Sequence, residues 1–122
     1  MPIVVASKTR YTGTVTPSAL NTETDVINLP SQSDDYIVEG YIDLSALASG
    51  DVVVIKEYIA VDGVNQRLFS NVTISGPLSE PVIRFHAKTV PYNGLYRVTI
   101  TQTQGTLRSF PYVFIVEVLG SA

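Results

Sequence analysis

The chain has 122 residues, eight Lys and Arg against eleven Asp and Glu, a net charge of −3 and no cysteine. Area scaling for this size leaves roughly 6,400 Å² exposed out of about 19,000 Å² unfolded, so a single domain with one core is expected and neither disulfide nor metal is needed to hold it. The missing cysteines exclude thiolate chemistry, and scattered basic residues with a pI near 4.9 exclude a phosphate-tracking stripe, so nucleic acid is not an expected partner.

The opening MPIVVASKTRYTG carries an apolar run far too short for a signal-peptide core or a membrane span, and no membrane partner is expected. Ile3 to Val5 and Thr9 to Val15 read as short strands, with Tyr11, Gly13 and Val15 on one side of the second. Polar clusters at Thr16-Pro17-Ser18 and Asn21-Thr22-Glu23-Thr24 interrupt the pattern before Asp25 to Leu29, and Pro30-Ser31-Gln32-Ser33-Asp34 closes the segment as a loop. Two readings of residues 1–34 stand. They form either outer strands of the domain or an arm ordered by neighbouring subunits, with Ile3, Val5, Tyr11 and Val15 anchoring it on a partner's sheet edge.

From Tyr36 the alternation is clear, with Tyr36, Val38, Gly40, Ile42 and Leu44 on one face and Ile37, Glu39, Tyr41 and Asp43 on the other. Leu44 to Asp51 is too short for a real helix. One helical turn is expected there, capped by Asp43 or Ser45, with Gly50 at positive φ. Val52 to Val61 is an apolar run, and Asp62-Gly63 signals a tight type I′ hairpin into a return strand from Asn65 to Ser75.

Pro81 to Val118 holds three β-rich runs separated by Pro-Tyr-Asn-Gly and Gln-Gly-Thr turns. In the first, Ile83, Phe85 and Ala87 alternate with Arg84, His86 and Lys88; in the second, Tyr96, Val98 and Ile100 alternate with Arg97, Thr99 and Thr101. The last run, Tyr112 to Val118, is apolar at nearly every position, which places it in the middle of a sheet or against a partner. About seven to nine strands without a useful helix make a single antiparallel β-sandwich, immunoglobulin-like or jelly-roll-like. Residues 35–122 form its core and 1–34 the arm or outer strands, one domain overall.

Gly94-Leu95-Tyr96-Arg97-Val98 resembles the tyrosine corner of immunoglobulin-like sandwiches, in which the Tyr hydroxyl bonds upstream backbone. Arg84, His86 and Lys88 share an outward face, either as a basic stripe for an acidic partner or as charges that discourage edge pairing. His86 is the only histidine, and no zinc site or triad can be built from it, so neither metal nor cofactor is expected. Tyr41 between Glu39 and Asp43 is the candidate platform for stacking a sugar. Val52 to Ile55 and Tyr112 to Val118 are apolar on both faces, and their second face calls for cover by loops, by the N-terminal segment or by another subunit.

The block YIVEGYIDLSALASGDVVVIKEYIAVDG, with PVIRFHAKTV and TITQTQGTLRSFPYVFIVEV, resembles small all-β virion proteins of phages and thermophile viruses, namely capsid-decorating or minor structural proteins. The resemblance implies a non-enzymatic structural protein located in the virion, with a capsid protein or its own copies as partner in a homo-oligomer. A carbohydrate-binding or immunoglobulin-like recognition module is the alternative.

Overall fold

The computed structural model describes residues 2–121; Met1, the first residue of the expected arm, and Ala122 lie outside the described residues. Eight strands follow one another: β1 (Ile3–Val15), β2 (Thr24–Asn28), β3 (Tyr36–Asp43), β4 (Val52–Ile59), β5 (Arg67–Ser75), β6 (Val82–Val90), β7 (Arg97–Gln104) and β8 (Phe110–Ser121). They build two antiparallel four-stranded sheets, ordered β1-β8-β3-β6 and β2-β7-β4-β5. First pairs with last, second with seventh, third with sixth and fourth with fifth, and successive pairs alternate between the sheets. A long hairpin rolled onto itself gives this order, which is that of a jelly roll and not of an immunoglobulin domain.

The strand that is apolar on both faces, β8, lies inside its sheet between β1 and β3. Its inward residues Phe110, Phe114, Val116 and Val118 meet Tyr36, Val38 and Ile42 of β3 and, across the sandwich, Val53 and Ile55 of β4 and Val98 and Ile100 of β7. Phe114 lies across Gly40, where a Cβ would come within 2.3 Å of its ring, and meets Phe85 in a tilted pair with ring centroids 5.0 Å apart. A glycine on the buried face of β3 thus leaves the space that the Phe114 ring of β8 fills. In β2 a bulge between Asp25 and Ile27 turns two successive residues, Val26 and Ile27, into the core.

The two short strands expected at the N-terminus are one strand, β1, with a register shift between Val5 and Ser7. It pairs within the chain to β8 along its whole length, and β2 pairs likewise to β7, so the first third supplies one edge strand to each sheet. The bridge after β3 is a pair of turns, not a helical turn; the Asp43 carboxylate accepts from the Ser45 amide at 2.8 Å, and Gly50 has φ of 90°. Asp62-Gly63 does not form a two-residue hairpin, because β4 ends at Ile59 and β5 starts at Arg67. Gly63 alone has positive φ, while the Asp62 carboxylate accepts from the amides of Val64 and Asn65 and from the Asn65 side chain, closing a wider loop.

Candidate interaction surfaces

The two outer faces differ. On the β2-β7-β4-β5 sheet, polar groups satisfy one another: Arg97 donates to Asp25 at 2.7 Å and lies over the Tyr58 ring, while Thr99 (2.6 Å) and Tyr58 donate to Glu23. Burial works against the charge on Glu23, yet the hydrogen bonds from Thr99 and Tyr58 hold its carboxyl below the ordinary value.

On the β1-β8-β3-β6 sheet the registers line up Thr12, Val113, Tyr41 and Arg84 in one row, Arg10, Ile115 and Glu39 in the next, and Lys8, Glu117, Ile37 and Thr89 in a third. Ile37, Val113 and Ile115 form an apolar centre that stays partly exposed, and the charges ring it. Tyr41, 44% exposed, stands between two depressions of about 190 and 210 Å³, the first shared with Asp43 and Val82 and the second with Glu39 and Ile115. An apolar centre with a charged rim is the anatomy of a protein interface. The N-terminal segment does not cover this face, since β1 lies at the sheet's edge.

Lys88 departs from the expected outward stripe. A bulge where β6 meets Val38 and Gly40 brings both Phe85 and Lys88 inward. The Lys88 ammonium lies 3.4 Å from Glu57, 3.5 Å from the Tyr96 hydroxyl and 4.9 Å above that ring. Arg84 and His86 remain outside, with Nη2 and Nδ1 2.7 Å apart.

Tyr96 is fully buried, but its hydroxyl donates to Glu57 of β4 and not to upstream backbone, so this is not the immunoglobulin-type corner. Burial, reinforced by the neighbouring Glu57, pushes its pKa far above the usual tyrosine value. The backbone amide of Tyr96 finds the hydroxyl of Tyr36 at 3.3 Å. Gly94 turns the chain ahead of it, where a Cβ would meet Val90 at 2.4 Å.

Of the expected contact residues, Ile3 and Val5 are exposed, Tyr11 packs half-buried against the core, and Val15 is inside the core. At the end of the sandwich opposite the chain termini, sequence reading missed two buried polar residues. Asp51 accepts from Ala48 N (2.9 Å), Thr106 N (3.0 Å) and Arg108 Nε (2.8 Å), and Gln102 bonds the backbone of Gln104, Thr106 and Arg108. Asp51 ties the β3–β4 loop to the β7–β8 loop, whose backbone Gln102 braces from β7. Asp51 draws two of its partners from a loop made by another stretch of chain, and Gln102 folds back on the turn that follows it, so neither shows in the strand periodicity.

No protein-family model matches this chain, and no curated protein does. Among solved structures it is similar to the infectious bursal disease virus Gx strain structure, at 12% identity over 96% of this chain and 32% of that one, with a TM-score of 0.50. It is also similar to the infectious bursal disease virus VP2 subviral particle, at 10% identity over 93% of this chain and 34% of that one, with a TM-score of 0.49. The likeness is one of fold. This chain spans about a third of the length of those it resembles.

Proposed function

We propose that this chain is a non-enzymatic structural protein of a virus particle, building or decorating a lattice by contact with its own copies or with a capsid protein. The observation that carries the reading is the partly exposed apolar centre on the β1-β8-β3-β6 sheet, flanked by the exposed Tyr41 and ringed by Lys8, Arg10, Arg84, Glu39 and Glu117, on a jelly roll whose interior is already filled. A sheet face of this kind stays soluble poorly on its own and is stabilised by a second protein surface. The likeness of fold to a virus structure, at a TM-score of 0.50, supports the same reading. Glu57 is paired with Lys88 and Tyr96, and Asp51 with Arg108, so these polar groups brace the sandwich, which supports a structural role. Light scattering across a concentration series, with and without purified particles, tests the proposal. Concentration-dependent mass or binding to particles is expected; a monomer that binds no particle refutes it.

A further inference from the structure

The two flanks of the sandwich are closed differently. On one, β1 and β2 approach each other beside a largely polar-rimmed depression of about 410 Å³ that Arg10, Thr12 and Asn28 help to line; on the other, β5 and β6 make no comparable approach among the described residues, and a groove of about 210 Å³ opens between them. Its walls carry Ile55, Val72 and Ile74 on one side, next to Ser70 and the Lys88-paired Glu57, and Ile83 and Phe85 on the other, next to Arg84 and His86; Val72 remains 48% exposed although it lines the interior side. The groove is smaller than the roughly 300–1,000 Å³ of small-molecule sites, so it suits a few aliphatic side chains of a peptide segment better than a free ligand. Both walls are edge strands, β5 bonded only to β4 and β6 only to β3, so each offers a row of unpaired backbone groups.

The same chain carries a projection of matching character. Ile3, Val4 and Val5 pair only with the end of β8, past Val118 where β3 stops pairing, and they remain exposed with Ile3 at 70%. The base of the tip carries three carboxylates against one ammonium: Leu119 N donates to Asp35 O at 2.9 Å, which places Asp34 and Asp35 beside it, and Glu117 lies in the adjoining register opposite Lys8. At the mouth of the groove stands Arg84. An aliphatic tip whose base is acidic on balance and a groove with Val72 and Ile83 in its walls and Arg84 at its mouth are complementary in polarity and in charge.

We infer that the β1–β8 tip of one copy enters the β5–β6 groove of a second copy, a head-to-side contact that repeats from copy to copy. This deepens the self-association reading above and rests on it. Such a heterologous contact does not close on two copies, and so extends into a ring or a lattice.

Sedimentation of single variants and of their mixture tests this. Val5→Glu on the tip and Val72→Glu in the groove should each leave a folded monomer at concentrations where the wild type associates. Mixed, they retain one good tip and one good groove, so a one-to-one dimer that grows no further is expected. A cross-link guards against a variant that fails to fold: the chain has no native cysteine, so Val5→Cys mixed with Val72→Cys should give a disulfide-linked dimer under mild oxidation, and neither alone should. If both Glu variants fold and associate like the wild type, or if the cysteine mixture forms no cross-chain disulfide while the wild type associates, the tip-in-groove contact is wrong and self-association uses another surface. A wild type that is monomeric at every concentration and on particles overturns both readings.

Discussion

Gly40 and Tyr96 show how single residues fix the interior. A methyl group at Gly40 would stand 2.3 Å from the Phe114 ring and 2.6 Å from the Val113 carbonyl, so Gly40→Ala should cost about 1–3 kcal/mol in a denaturant titration. Phe114→Ala should cost more, about 3–5 kcal/mol, by emptying the same site. Tyr96→Phe removes the hydroxyl that Glu57 accepts from and should cost about 1 kcal/mol, whereas Tyr41→Phe, on the outer face, should stay within about 0.5 kcal/mol. Equal shifts for the two tyrosines would contradict the placement of Tyr96. Acid sensitivity follows from two aspartates. Hydrogen bonds from the Ala48 amide, then from Arg108 and Thr106, hold Asp51 below the ordinary carboxyl value, and those from Asn65 and Val64 bring Asp62 to about 2. A depressed carboxyl stabilises the fold fully above its unfolded pKa of roughly 3.9, and that contribution fades as pH falls through the folded value. Unfolding midpoints taken between about pH 5 and pH 2 should fall steeply in the wild type and less steeply in Asp51→Asn and Asp62→Asn. The alternation around Tyr96 made its burial legible in the sequence, but its partner is 39 residues away and was not. Lys88 was misplaced for a related reason, since a one-residue bulge reverses every face assignment after it and leaves no mark in the local pattern.

Among the elements, β8 and β3 were the most legible, because continuous apolarity signals a central strand and strict alternation a strand with one buried face. The first third was the least legible. Edge strands bury little, and β1 has only Val15 inside, so its sequence resembles an arm's even though it pairs in register with β8. The two segments should respond differently to deletion. A chain lacking residues 2–8 loses exposed positions and should still unfold cooperatively, with association weakened. A chain lacking the first 30 residues loses Val15, Val26, Ile27 and Leu29 from the core. At about 1.5–3 kcal/mol for each buried side chain, that loss is comparable to a typical total stability of about 5–15 kcal/mol, and no cooperative transition should remain in circular dichroism melts. A cooperative transition in the longer deletion would make residues 1–30 an arm after all.

For the whole molecule, the choice between an immunoglobulin-like and a jelly-roll sandwich lay beyond the sequence, because it turns on which strands pair across long separations, above all β1 with β8. Local periodicity fixes strands and faces but not that order. The folded chain exposes 6566 Å², close to the roughly 6,400 Å² expected for its size, so it closes around its own core and association must use finished surfaces. Those surfaces are unevenly prepared. One outer sheet face is dominated by paired polar groups, while the other has a partly exposed apolar centre with a charged rim, and Val72 in the β5–β6 groove and Ile3 to Val5 at the β1 tip are exposed. Sedimentation velocity of the wild-type chain over a wide concentration series measures the consequence directly. A weight-average sedimentation coefficient that rises with concentration beyond the monomer value is the predicted result, and a single monomeric boundary at every concentration, unchanged by adding purified particles, would contradict it.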